Sequence, residues 1–217
     1  MTDQVLLKKD LFGEIRLSSG GDHMLIVRDV SAARAWLSWL ARYLMRREAR
    51  VLAALTDIDG IPELQSLTHD RLTRSYIAGT PMQRSRPTDR GYFLEAARLL
   101  RQLHRAGVVH NDLAKEPNLL VQEDGSPAFV DFQLAWYTQR RGPLFRALCY
   151  EDIRHLLKHK RSYCPQALTQ RERRILANPG RLSKLWRHTV KAAYLFITRA
   201  LLGWSDREGA GERGELS

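Results

Sequence analysis

The chain has 217 residues, of which 44% are hydrophobic and 27% charged, and it carries a formal net charge of +11. This length and composition fit a folded domain with its own core and exclude a wholly disordered chain. The first residues lack the pattern of a signal peptide, and no uncharged apolar run is long enough to span a bilayer. The two cysteines, Cys149 and Cys164, match no zinc spacing, so we expect a cytoplasmic protein with reduced thiols.

The N-terminal third predicts an antiparallel sheet with one long helix inserted. Five short β-type runs are separated by turn-forming residues, at 5–7, 14–17, 23–28, 63–67 and 71–77. Between the third and fourth runs, apolar residues recur at helical spacing from Ser31 to Leu55, with Ser31 as the expected N-cap. Glu48 lies on the apolar face of this helix, where a carboxylate needs a cationic partner.

The rest of the chain predicts a mostly helical second half. A hinge at residues 78–81 is followed by a helix that ends at His104, then by a short hairpin over residues 119–130, and then by helical and basic sequence. The predicted fold is therefore α+β and bilobal. We expect a small N-terminal lobe over residues 1–78, with an antiparallel sheet and one long helix, and a mostly helical C-terminal lobe over residues 79–217.

The segment at residues 108–135, VVHNDLAKEPNLLVQEDGSPAFVDFQLA, concentrates the candidate chemistry. Asp112 falls in a loop after a helix, Asn118 follows six residues later, and Asp131 ends the next hairpin. A carboxylate can orient a hydroxyl and accept its proton, while amide and carboxylate oxygens are hard ligands that suit Mg²⁺. The pattern indicates phosphoryl transfer, which needs a positioned nucleophile, metal between the phosphates and neutralised γ-phosphate charge.

The same segment resembles the catalytic loop and metal-binding motif of the protein-kinase-like superfamily. Within that superfamily, the segment resembles compact bacterial RIO-like kinases and lipopolysaccharide core (Kdo and heptose) kinases. The resemblance implies that Asp112 is catalytic and that His110 braces its loop. It also implies that Asn118 and Asp131 hold the metal, with the tripeptide DFQ at 131–133 where those families have Asp-Phe-Gly.

The resemblance further implies ATP and Mg²⁺ as cofactors and a hydroxyl acceptor on a protein or on a lipopolysaccharide core sugar. After Asp131 the sequence has no Ala-Pro-Glu and no long activation loop. This favours a RIO-like or lipid-sugar acceptor over the acceptor of a eukaryotic-type protein kinase.

Upstream positions supply the expected nucleotide site. Families of this kind have a lysine on the third strand that touches the α- and β-phosphates and pairs with a glutamate of the long helix. Arg28 and Glu48 stand at those places. The other candidates for nucleotide binding lie in the first loop, above and below the adenine, and at the hinge, and they are Gly13, Ile26, Leu120 and Tyr76.

Several positions depart from the family pattern. Arg28 replaces lysine, Gln133 replaces glycine, the first loop holds a single glycine, and the catalytic loop is one residue longer than usual. Lys115, or Lys8 or Lys9 in the first loop, is therefore a candidate for the missing ammonium. The alternative interpretation is a catalytically degenerate, kinase-like scaffold that binds nucleotide.

The net positive charge of the chain is compatible with several anionic partners, among them nucleotides, anionic lipids and nucleic acid. Leu185–Trp204 is apolar and aromatic with interspersed cations. It is expected either to pack on the C-terminal lobe or to touch an anionic membrane surface, here the inner membrane. Nucleic acid is not expected, because no reader motif is present. His155 and His159 have zinc-ligand spacing, but without a third ligand a solvated basic face is expected.

Overall fold

The N-terminal part of the protein is one five-stranded antiparallel sheet. The computed structural model describes residues 4–20 and 23–178. The strands are β1 (Gln4–Asp10), β2 (Gly13–Gly20), β3 (His23–Asp29), β4 (Leu64–Leu67) and β5 (Arg71–Ser75). Their order in the sheet is β1-β2-β3-β5-β4, so β3 and β5 lie in its interior. The five predicted strands are confirmed.

The turn between β1 and β2 depends on Gly13. This residue has φ +126°, and a Cβ placed on it would lie 2.2 Å from the carbonyl oxygen of Asp29. Only glycine allows this close approach of β2 and β3. The steric requirement of the sheet therefore accounts for the single glycine of the first loop.

Helix α1 (Ser38–Ala53) packs across the sheet and is shorter than its periodicity predicted. A 3-10 turn at Ala35–Leu37 precedes it. The predicted start at Ser31 is wrong, because Ser31 donates from both its backbone N–H and its hydroxyl to Asp29 Oδ1, at 2.9 and 2.5 Å. Ser31 thus closes a local turn after β3 instead of capping the helix.

The C-terminal part of the described chain is mostly helical. Its elements are β6 (Thr80–Pro81), α2 (Met82–Ser85), α3 (Arg90–Arg105), β7 (Val108–Val109), β8 (Leu119–Val121), β9 (Pro127–Phe129), β10 (Trp136–Tyr137), α4 (Pro143–Tyr163) and α5 (Gln170–Ala177). Strands β8 and β9 form the predicted hairpin, β6 pairs with β8, and β10 pairs with β7. Gly107 has φ +82° just after α3, as expected for a glycine that ends a helix.

One hydrophobic core joins these elements. The apolar stripe of α3, including Phe93, Ala96 and Leu100, packs with the hairpin residues Leu119 and Phe129. The arrangement places the loop that follows β7 beside the end of the hairpin. The α+β fold predicted from the sequence, with a sheet-forming N-terminal part and a helical C-terminal part, is confirmed.

The basic segment of α4 is not the solvated face that its charge suggested. His159 is buried and its Nε2 lies 2.8 Å from the carbonyl oxygen of Leu113, while Lys160 is 3% exposed and pairs with Glu172 at 2.7 Å. Both side chains are buried because each has a fixed partner. The expectation failed because those partners lie on other elements.

No helix within residues 4–20 and 23–178 is long and apolar enough to cross a membrane. The helix expected at Leu185–Trp204 lies outside the described residues.

Candidate functional site

A buried ionic cluster joins the sheet to α1. Glu48 is 2% exposed, and its Oε2 accepts a hydrogen bond from Arg28 Nη1 at 3.0 Å. Arg74 Nε lies 3.4 Å from the other carboxylate oxygen. Arg74 stands directly opposite Ile26 in the pairing of β3 with β5, so it projects from the same face of the sheet as Ile26 and Arg28. The cluster contains two guanidinium groups and one carboxylate, and its net charge is therefore positive.

Arg74 was not among the predicted site residues. The partners of the Glu48 carboxylate come from β3 and β5, not from the arginines that neighbour it in sequence. Only the strand register brings Arg74 to Glu48, and register is weakly encoded in a short strand.

The predicted catalytic loop brings three of the predicted residues together. Asn118 Nδ2 donates to both the backbone oxygen and Oδ2 of Asp112, at 3.0 Å each. Lys115 Nζ lies 3.0 Å from the same Oδ2. A 3-10 turn at Glu116–Asn118 tightens the loop and absorbs its additional residue, so the asparagine still reaches the aspartate.

The catalytic loop and the hairpin meet at Val130. Its backbone N–H donates to the carbonyl oxygen of Asn118 at 3.0 Å. His110 Nε2 lies 3.1 Å from the carbonyl oxygen of Val130. Asp131 follows immediately, with φ +63° and ψ +70°, a left-handed conformation that is uncommon for a residue other than glycine. Asp131 therefore directly follows a residue whose backbone is bonded to both Asn118 and His110.

His110 is a neutral brace for this junction. Burial lowers the pKa of its imidazole, although nearby carboxylates, among them those of Asp131 and Asp112, oppose the shift. Because a carbonyl oxygen can only accept, Nε2 carries the proton. The ring also packs on Phe132, with the centroids 4.6 Å apart. A neutral ring in this position holds the strand before Asp131 without placing another charge beside it.

Asp152 on α4 is a site residue that sequence reasoning missed. It is 1% exposed, and its two carboxylate oxygens accept the backbone N–H groups of His110 and Asn111 at 2.8 and 3.0 Å. His104 Nε2 lies 3.4 Å from Oδ2. The sequence does contain a signal for Asp152, the same one that pointed to Glu48. An acidic residue stands among the apolar positions of a helix, here between Leu148 and Leu156 of α4.

The predicted adenine-binding residues surround the hinge. Ile26 and Leu120 are buried, and Tyr92 on α3 donates to the Leu120 carbonyl at 3.1 Å. Tyr76 is half exposed, and its backbone N–H is bonded to the carbonyl oxygen of Met24. Lys9 lies on β1 and not in the first loop as predicted, and it pairs with Glu14 at 2.9 Å. Among the candidate ammonium groups, the one that the structure places at Asp112 is that of Lys115.

The donor set at the junction fits a magnesium ion. Among the residues that the structure describes, none donates a hydrogen bond to the Asp131 carboxylate, and Asn118 binds Asp112 through its amide nitrogen, which leaves the amide oxygen as a ligand. The same residues hold no group of three or more His, Cys, Asp or Glu suited to a metal ion. Mg²⁺ needs few protein ligands, because it retains waters and binds phosphate oxygens, whereas a structural zinc site needs four ligands.

The sheet with its helix, the hairpin and the loop between them define a phosphotransferase of the protein-kinase-like class. The model of the phosphotransferase enzyme family (APH) matches residues 20–140, more than half of the chain. The chain therefore belongs to this family. The match covers the ionic cluster on α1, the catalytic loop and Asp131. Comparison with curated proteins gives no significant match.

Proposed function

We propose that the protein is an ATP- and Mg²⁺-dependent kinase that moves the γ-phosphoryl group to a hydroxyl acceptor. The observation that carries this proposal is the junction at Val130, whose backbone is bonded to both Asn118 and His110 and which directly precedes Asp131. A carboxylate near the acceptor, an amide oxygen and a second carboxylate are the protein groups that phosphoryl transfer requires.

Asp112 acts on the acceptor in this proposal. Its carboxylate orients the attacking hydroxyl and takes its proton, while one hydrogen bond from Asn118 and the charge of Lys115 fix its Oδ2. Lys115 is mostly exposed, so it can also face the transferred phosphoryl group. Positioning and charge neutralisation supply most of the rate in such a site.

Asn118 and Asp131 hold the metal, and Arg28 binds the phosphates. A Mg²⁺ ion held by these two side chains would supply positive charge to offset the phosphate charge during transfer. Glu48 keeps Arg28 in place, and Arg74 adds a second guanidinium to the same face. A planar guanidinium binds phosphate through two parallel donors, so arginine can serve here with a geometry different from that of lysine.

The acceptor is proposed to be a protein serine or threonine, or a lipopolysaccharide core sugar. Helix α4 begins at Pro143, soon after Asp131, with only a 3-10 turn and β10 between them. This short connection leaves no room for a long activation loop, which supports a RIO-like or lipid-sugar acceptor. Work on a growing lipopolysaccharide would also fit a cytoplasmic protein with peripheral contact to the anionic inner membrane.

The test is transfer of label from γ-labelled ATP by the purified chain. The chain is incubated alone and then with a cell lysate separated into protein and lipopolysaccharide fractions. We expect label in one acceptor fraction, transfer that stops when EDTA removes the metal, and a loss of about 10²–10⁴-fold in Asp112→Ala. Asp131→Ala should abolish transfer and weaken nucleotide binding only when Mg²⁺ is present.

Asp124→Ala is the matched control, because it removes an aspartate from the exposed turn of the same hairpin. It should transfer phosphate like the wild type. An undiminished rate in Asp131→Ala would refute the metal assignment. If the protein is stabilised by ATP but transfers no phosphate, it is the degenerate scaffold, an outcome that the replacement of lysine by Arg28 favours.

A further inference from the structure

Arg47 lies on α1 next to Glu48 in sequence, but its side chain contacts different elements. Its Nε donates to the carbonyl oxygen of Ala135 at 2.6 Å, and its Nη2 donates to the carbonyl oxygen of Leu134 at 2.9 Å. Asn111 of the catalytic loop also donates to Leu134, at 3.1 Å. Arg47 is not among the site residues predicted from the sequence.

The two carbonyl groups belong to the segment that directly follows Asp131. After Asp131 the chain makes a 3-10 turn at Phe132–Leu134 and then enters β10. The left-handed backbone of Asp131 is strained for a residue with a side chain, so neighbouring contacts must hold it. Phe132 is anchored on His110, and Arg47 anchors the other end of the turn.

The guanidinium group suits this task. Its donors lie in one rigid plane and meet two successive carbonyl oxygens, whereas the single ammonium of a lysine has no such fork. An arginine that served only to cover the surface would not need this paired geometry.

Two adjacent residues of α1, Arg47 and Glu48, therefore contact two separate parts of the proposed nucleotide site. Glu48 holds Arg28, the residue proposed to bind the phosphates, and Arg47 holds the segment that carries the proposed metal ligand Asp131. Because both lie on one helical turn, the position of α1 fixes the separation between these two groups.

We propose that Arg47 is a positioning residue that fixes the metal-binding carboxylate of Asp131 relative to the phosphate-binding arginine. This inference rests on the proposed function. It assigns to Arg47 an effect on the metal-binding loop and to Glu48 an effect on the nucleotide, although the two residues are neighbours.

The test compares Arg47→Lys and Arg47→Ala with the wild type in two measurements. The first is hydrogen exchange in the metal-free protein, where the peptide spanning residues 132–137 should exchange about tenfold faster, because hydrogen bonds made by a charged donor are lost. The second is Mg²⁺ titration of nucleotide binding, where the half-saturating Mg²⁺ concentration should rise about fivefold in Arg47→Lys and more in Arg47→Ala. Nucleotide affinity without Mg²⁺ should stay within about twofold of the wild type.

Arg46→Lys is the matched control, since Arg46 is exposed on the same helix. It should change neither measurement, and Glu48→Gln should weaken nucleotide binding with and without Mg²⁺. Unchanged exchange at residues 132–137, or an unchanged Mg²⁺ requirement, in both Arg47 variants would overturn the inference. If Mg²⁺ has no effect on nucleotide binding by the wild type, the proposed function itself fails, which is a separate result.

Discussion

Glu48 is buried between Arg28 and Arg74. Among the described residues, its carboxylate is the only negative group that the structure places between these two arginines. Burying a charge without a partner is costly, and removal of the carboxylate would leave two guanidinium groups facing each other. The ion pair is thus a condition for the local fold of the sheet and α1, besides its proposed role at the phosphates.

Glu48→Gln should lower the free energy of unfolding by about 3 kcal/mol, because the amide keeps the shape of the side chain and loses its charge. Urea denaturation measures this loss. Glu123→Gln, the same change at an exposed turn, should stay within about 0.5 kcal/mol of the wild type. Equal stability of Glu48→Gln and the wild type would show that the arginines do not need the carboxylate.

Helix α4 holds the catalytic loop at two places. Asp152 accepts two successive backbone N–H groups of the loop, at His110 and Asn111, and His159 binds the carbonyl oxygen of Leu113 just after Asp112. A loop that is fixed on both sides of its aspartate keeps that side chain in one place. The rigid frame for the chemistry is therefore the helix behind the loop.

Asp152→Asn tests this frame. Asparagine has one acceptor oxygen, so one buried backbone N–H loses its partner and faces an amide NH₂, at a cost of about 1–3 kcal/mol of stability. We expect the rate constant for transfer to fall by at least about tenfold with little change in nucleotide affinity.

Chemical denaturation and steady-state kinetics measure the two effects of Asp152→Asn. Asp59→Asn makes the same change at an exposed position and should affect neither. A full transfer rate in Asp152→Asn would mean that the loop holds its geometry without α4.

The stability of the folded protein should depend on pH through two histidines. Burial lowers the pKa of His110 below its ordinary value, and burial, followed by the charge of Lys158, lowers the pKa of His155 to about 4. For a base whose pKa is lowered by folding, the stabilisation is complete above the unfolded value near 6.5 and is lost as the pH falls towards the folded value.

We therefore expect the melting temperature to fall as the pH drops from 7 to 4.5, with His155 contributing about 2 kcal/mol of that loss. Thermal denaturation across this range should show a shallower fall for His155→Gln, because glutamine does not titrate. The stability of His155→Gln at pH 7 is the reference from which its loss at lower pH is measured. If the two proteins lose stability in parallel, His155 does not have a lowered pKa in the folded state.

Much of the fold follows from local patterns. Short β-type runs between turn-forming residues predicted the five strands, and helical spacing predicted α1 and α3. The start of α1 was misplaced because Ser31 bonds back to Asp29, a choice that a serine makes equally well in a turn or at a helix cap.

The candidate site likewise contains some residues that local sequence could predict and others that it could not. The order and spacing of His110, Asp112, Asn118 and Asp131 lie within one short segment, so their grouping could be predicted from the chain itself. The residues that hold them were not predicted. Asp152 meets His110 across 42 residues, and Arg47 meets Ala135 across 88.

Local sequence specifies which residues alternate, which cap and which follow one another in a loop, because those choices depend on dihedral preferences and near neighbours. It therefore sufficed for the α+β architecture and for the choice of candidate site residues within 108–135. The partners of Glu48, the neutral state of His110 and the anchoring of the Asp131 segment came from packing. They depend on burial and on charges brought together from distant parts of the chain, which exist only once the chain has folded.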